Sequence, residues 1–142
     1  MNDLITTLRT LLAQTVFAYY KAHASHWNVT GADFPQYHEF LGDTYEALFE
    51  AIDPTAEIIR SLGYKAPATL ATLAMMQPTD PATEDDALPV MITQLKATND
   101  LIMATVRNGI AQSDDEPAVQ NFLQDRLMYH QKLGWMLTAI LS

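Results

Sequence analysis

Apolar residues recur at helical spacing in four long stretches. In the first, Leu4, Leu8, Leu11, Leu12, Thr15, Val16, Tyr19 and His23 share one face, and no Gly or Pro interrupts it from about Asp3 to Asn28. Val29-Thr30-Gly31 breaks the pattern, with Gly31 available for a left-handed cap. Asp33-Phe34-Pro35 restarts it, because proline suits a first helical turn. Tyr37, Leu41, Tyr45, Leu48, Ile52, Ile59 and Leu62 then trace a near-heptad stripe that predicts a helix from about Pro35 to Leu62, closed by Gly63. Pro54 lies inside that stretch, where it loses a backbone bond and crowds the carbonyl four residues back. The stripe keeps its phase on both sides, so the expectation is a kinked but continuous helix.

Residues 64–83 carry Pro67, Pro78 and Pro81 and cannot form one helix. Ala68 to Met76 predicts a short helix whose Leu70, Leu73, Met75 and Met76 need a surface, with the methionine pair suited to packing at a subunit contact. Thr83 is the expected N-cap of the third long helix. Glu84 and Asp85 load its positive end, and Asp86 stands three residues on. Leu88, Ile92, Leu95, Asn99, Ile102 and Val106 form its buried face, ending near Gly109 to Gln112. The acidic turn Ser113-Asp114-Asp115-Glu116-Pro117 opens the fourth helix, which Val119, Phe122, Leu123, Leu127, His130, Leu133, Leu137 and Ile140 carry to the last residues. Each long helix is about 26 to 29 residues, roughly 40 Å. Short connections make the first two antiparallel and the last two antiparallel, while the long middle connection crosses the bundle. The predicted fold is all-α: a single-domain, ferritin-like four-helix bundle with a short extra helix in the crossover.

Composition narrows the chemistry. With 142 residues, 49% of them apolar, one domain with one core is expected. Eight Lys plus Arg against seventeen Asp plus Glu give a net charge of -9, with no basic cluster or tail to displace the counterions of free nucleic acid. An acidic protein attracts cations instead. The absence of cysteine excludes disulfides, thiolate metal sites and thiol nucleophiles. The N-terminus does not read as a signal peptide, and no apolar run reaches membrane-spanning length, so a cytoplasmic protein away from membranes is expected. Asn28-Val29-Thr30 matches a glycosylation sequon and is taken as chance.

Residues 21–57 hold three of the four histidines, His23, His26 and His38, and six carboxylates, Glu39, Asp43, Glu46, Glu50, Asp53 and Glu57. Imidazole and carboxylate suit iron and related metals. Asp53 and Glu57 are four apart and share a helix face. His38 is roughly 22 Å from Asp53 along the axis, whereas metal–ligand bonds are about 2 Å. One chain therefore cannot join them. His26 and His38 can approach across the short turn. If two copies pack their second helices antiparallel about a two-fold axis near Glu46 and Ala47, His26 and His38 of one meet Asp53 and Glu57 of the other, making two sites per pair. The internal di-iron alternative needs Glu-x-x-His. Tyr20, His23, Pro35 and Leu127 stand where that glutamate would be, so an internal centre is not expected.

His26-Trp27-Asn28-Val29, Gly31, Phe34, His38-Glu39 and Asp53-x-x-Ala56-Glu57 together resemble the signature of the Dps family, the mini-ferritins. Asp125-Arg126-Leu127, His130-Gln131-Lys132 and Trp135-Met136-Leu137 are similar to that family's last helix. The likeness runs over residues 4–141. The resemblance implies a twelve-subunit hollow shell built from two-fold pairs. It implies ferroxidase sites between subunits, where Fe(II) is oxidised mostly by hydrogen peroxide and ferric mineral collects inside. Carried onto this sequence, the ligands are His26 and His38 from one subunit and Asp53 and Glu57 from its neighbour, with Trp27 beside the site. Asp114, Asp115 and Glu116 correspond in place to acids near the family's three-fold pores. Three positions depart from the pattern. Gly42 stands where another Asp is usual, and Asp43 points about 100° away. Pro54 adjoins a ligand, and Asn121 replaces a frequent acid, with Asp125 one turn on.

The remaining residues have plainer expectations. His23 and His130 read as packing or hydrogen-bonding groups, and Glu39, Glu46 and Glu50 as a solvated or cavity-facing surface. Asp114 to Glu116 also serve as ordinary capping of the fourth helix. A second reading keeps the shell but not the turnover: Gly42 and Pro54 leave a cage holding iron, zinc or another divalent metal. DNA protection is a third, against which the charge argues.

Overall fold

The computed structural model describes residues 1–77, 84 and 86–142. Among them are six helices and no strand: α1 Asn2–Asn28, α2 Phe34–Glu50, α3 Ile52–Ser61, α4 Leu70–Met76, α5 Leu88–Ala111 and α6 Pro117–Leu141. α1 packs on α2, α3, α4 and α5, and α5 packs on α6. One buried cluster draws on all six, with Leu8, Leu41, Leu48, Ile59, Ile92, Ile102, Leu123 and Leu137 fully enclosed. These are the stripe positions, so the periodicity does place the core. Among the described residues no helix is long and apolar enough to cross a membrane.

Two prolines correct the expected boundaries. The second long helix is not continuous: α2 and α3 meet at Ala51, which keeps helical dihedrals (φ -82°, ψ -13°). Pro54 has no N–H for the carbonyl of Glu50 and its ring crowds it. The Ala51 amide turns to the Leu48 carbonyl at 3.2 Å, and the ladder resumes with Thr55 N–H on Ala51 O at 3.3 Å. The third long helix starts at Leu88 rather than at Thr83, a residue that lies, with Asp85, outside the described ones. Pro89 explains the later start. It sits in the first turn, whereas in a helix begun at 83 it would be interior. Asp86 precedes that helix and accepts from Gln94 Nε2 at 3.2 Å.

The short crossover helix α4 begins two residues later than expected. The Thr69 hydroxyl caps it by accepting from the Thr72 amide at 3.1 Å. Gly31 (φ 119°) and Gly63 (φ 91°) take the left-handed conformations that end the α1 and α3 segments.

Candidate metal centre

The turn between α1 and α2 brings two histidines together. Val29 is extended and buried, and the Phe34 amide closes on Gly31 O at 3.1 Å. The last turn of α1 therefore lies against the first turns of α2. His26 Nδ1 donates to the backbone carbonyl of His38 at 2.6 Å, and His38 Nδ1 donates to the carbonyl of His26 at 2.7 Å. A carbonyl only accepts, so both rings carry their proton on Nδ1. In the neutral ring this tautomer leaves the lone pair on Nε2, which is the form a metal takes. His26 is in the last turn of α1, where unpaired carbonyls give the helix end a partial negative charge that favours a cation.

The two rings stack, with centroids 3.7 Å apart and planes 15° off parallel. Each lone pair lies in its own ring plane. An ion between two such planes would sit about 1.8 Å out of each, and with bonds of about 2 Å it would meet both lone pairs far off axis. Each ring can address its own ion in this arrangement, and the stacked pair cannot share one.

A wall of rings surrounds the pair. Phe34 lies on the far side of His38, centroids 4.9 Å apart. His23 stacks on Tyr45 at 3.8 Å and 5°, and its Nδ1 is 2.9 Å from the Tyr19 hydroxyl. Trp27 reaches His23 with centroids 4.5 Å apart. Burial, and then the neighbouring His26, lower the His23 pKa, keeping that ring neutral. Tyr20, Trp27 and Phe34 stay exposed around this end of the bundle, and Phe49 is exposed further along α2, beside Tyr19.

The carboxylates of the expected site stand elsewhere. Asp53 and Glu57 are exposed on α3. Among the described residues, no three His, Asp or Glu side chains lie close enough to hold one ion. The structure thus unites His26 and His38 but does not bring Asp53 and Glu57 to them within one chain. Asp114 and Asp115 are exposed and Glu116 half-buried in the turn before α6, and Gln120 Nε2 donates to Asp114 Oδ1 at 3.1 Å.

His130 is no ligand. It is fully buried, with Nδ1 donating to Asn99 Oδ1 at 2.7 Å and Nε2 accepting from Arg126 at 2.8 Å. Asn99 Nδ2 returns a bond to the His130 carbonyl at 2.9 Å. Both ring nitrogens are spent on structure, the packing and hydrogen-bonding role expected of it.

Sequence reasoning missed how close Gly42 lies to His26. A Cβ built there would lie 3.2 Å from His26 Cε1 and 3.3 Å from His26 Nδ1. It also missed the Tyr19–His23–Tyr45 group. A signal was present, since Tyr19 and His23 are four apart and Tyr45 follows His38 by seven.

The ferritin-like domain family matches residues 5–142. A DNA protection during starvation protein of Brevibacillus brevis is 30% identical over 135 residues, covering 92% of this chain and 89% of its own length. Antigen TpF1 of Treponema pallidum (strain Nichols) is 28% identical over 139 residues, covering 95% of this chain and 78% of the antigen. The crystal structure of a Dps protein from Bacillus brevis superposes with a TM-score of 0.92 at 27% identity, covering 98% of this chain and 95% of that one. A family match over nearly the whole chain, and a Dps relative at that identity and coverage, make this chain a member of the ferritin-like family and, within it, of the Dps proteins.

Proposed function

We propose that the protein is a ferroxidase and iron store that oxidises Fe(II), preferentially with hydrogen peroxide, at sites completed between two copies of the chain. The carrying observation is the His26/His38 pair, two imidazoles whose Nδ1–H bonds to backbone leave both Nε2 lone pairs free. Iron here is substrate. Each Fe(II) gives up one electron, one peroxide takes two, and the ferric product hydrolyses with release of protons. Two separate imidazoles suit two ions delivering two electrons.

Asp53 and Glu57 of a neighbouring copy supply the negative charge that two neutral imidazoles lack. Exposed Tyr20, Trp27 and Phe34 beside the pair support a second copy covering it, since exposed apolar side chains grouped together mark an interaction surface. Trp27 stands beside the pair through His23. Two-fold pairs assemble further into a closed shell of twelve, with Asp114, Asp115 and Glu116 drawing Fe(II) towards its pores by charge. DNA has no part in this reading, given the net charge of -9.

Peroxide-driven Fe(II) oxidation in the wild type, compared with a His26→Ala/Glu57→Ala variant, tests it. The variant is expected to lose the fast phase, and equal rates would overturn the proposal. A cage that holds zinc or another divalent ion without turnover is the second reading, favoured by Gly42, which gives the His38 side no carboxylate. Stoichiometric metal binding with no peroxide-dependent oxidation would select it.

A further inference from the structure

A contact about a two-fold axis joins a patch to its own copy and stops at the pair. The shell proposed above therefore needs a second contact, between unlike surfaces, that repeats by rotation until it closes. The turn between α1 and α2 belongs to the pair. A different face stands uncovered on α5 and α6. Lys96, Asp100, Met103 and Arg107 follow one another along α5 at steps of four, three and four, so they share a face of that helix. With Trp135 of α6 they line an open groove of about 320 Å³, and Gly134 has no side chain to fill it. The groove has room for a large side chain from outside.

We propose that the α5–α6 groove is the surface through which two-fold pairs join into the shell, Trp135 taking an apolar contact and Arg107 a carboxylate from a copy outside its own pair. Trp135 is 68% exposed, and Met128, seven residues before it on the same face of α6, is 70% exposed. Large apolar side chains left in water on one face call for a cover. Lys96 is committed to Asp100 at 3.1 Å, whereas Arg107 is exposed and forms no ion pair among the described residues. Trp, Met and Arg are the residue types enriched where proteins meet, and Trp and Arg dominate the energetics there. The charge of the chain favours a second copy as the occupant. Copies with a net charge of -9 repel one another at a distance, so they meet best where an uncommitted cation can face an acid. Seventeen Asp plus Glu against eight Lys plus Arg leave such acids in excess on every copy. A concave groove does not fill itself, so the incoming surface is a different, convex part of the chain, as a contact that closes by rotation requires.

The inference rests on the shell reading, and the test separates the two. Light scattering after size-exclusion chromatography gives the mass of wild type, Trp135→Glu and Arg107→Glu, and circular dichroism gives their helix content. Wild type is expected at the mass of the shell. Both variants are expected at the mass of the pair with wild-type helix content, because both side chains are exposed in the single chain and their replacement costs little there. Arg107→Glu keeps the indole and decides the question if Trp135→Glu does not fold. A wild type that never exceeds the pair removes the shell reading, and the role of the groove with it. A wild-type shell that either folded variant still forms overturns the groove alone and leaves it to a partner other than this chain. Variants that fall to single chains place the groove in the two-fold contact and likewise overturn the assignment.

Discussion

His26 and His38 hold each other by their backbones, each ring's Nδ1–H on the other residue's carbonyl, while the rings stack at 3.7 Å. Because the partners are main-chain atoms, truncating one ring removes its own hydrogen bond and the stack but leaves the other ring's hydrogen bond in place. The first prediction follows from ring geometry. In crystals soaked with Zn²⁺ at low concentration, the first anomalous peak should lie about 2 Å from one Nε2 only. A second peak should appear at the other Nε2 at higher concentration. One peak bonded to both nitrogens of a still-stacked pair would contradict the geometry.

His130 carries an acid sensitivity that is unrelated to metal. Burial first, and then Arg126, lower its pKa from 6.5 to about 3. Between those values the unfolded chain binds a proton that the folded chain refuses. Stability is therefore full above pH 6.5 and falls as pH drops towards 3, by about 1.4 kcal/mol per pH unit from this residue. Urea unfolding at pH 7 and pH 5, at one protein concentration, should show His130→Gln less stable at pH 7, by about 1–3 kcal/mol. Its fall between the two pH values should be shallower than that of the wild type. His23, also lowered, adds the same slope to both proteins, so the difference isolates His130. Identical slopes would refute the assignment.

Much of this fold could be read from periodicity, because burial on a helix follows spacing. Leu41, Leu48 and Ile59 keep one phase through the break at Ala51, and all three are enclosed. The break at Ala51 and the start at Leu88 share a cause. Pro54 interrupts a stripe that stays in phase across it, and Pro89, rather than the acidic run before it, marks where the third long helix begins. A proline's steric demand outranks both signals. At the site, His26 and His38 stood out as residue types on either side of a short turn. Their reciprocal bonds did not, since these depend on how residues 29–33 fold. Gly42 could be seen as a missing carboxylate, but only the packed structure shows that the His26 ring lies against it. Asn99 was legible as buried, whereas its bonds to His130, 31 residues on, required α5 and α6 to be docked.

Gly109 leaves no room for a larger side chain. A Cβ there would lie 2.9 Å from Leu123 Cδ1 and 3.4 Å from Thr7 Cγ2, where α1, α5 and α6 converge. Leu123 and Thr7 are both buried and cannot swing into solvent. Overpacking of this kind costs about 1–3 kcal/mol, against a helix-propensity gain of about 1 kcal/mol for Ala over Gly. Gly109→Ala should therefore lower the melting temperature with no effect on Co²⁺ affinity. A higher melting temperature would mean that the helices part at this point without cost.

The separation of His26/His38 from Asp53/Glu57 within one chain makes assembly testable without a structure of the assembly. Take one variant lacking the imidazoles (His26→Ala/His38→Ala) and another lacking the carboxylates (Asp53→Asn/Glu57→Gln). If each site joins the histidines of one copy to the carboxylates of its two-fold partner, each variant alone has every site broken. A mixed pair is different. One of its sites takes histidines from the second variant and carboxylates from the first, and so is whole; the other lacks both. Dissociated and reassembled at equal concentration, half of the pairs are mixed and half of their sites are intact. Fe(II) oxidation should recover to about one quarter of the wild-type rate. Mixing without dissociation should recover nothing, which controls for contamination. Sites contained within single chains predict no recovery under either treatment, and that result would remove the inter-subunit centre altogether.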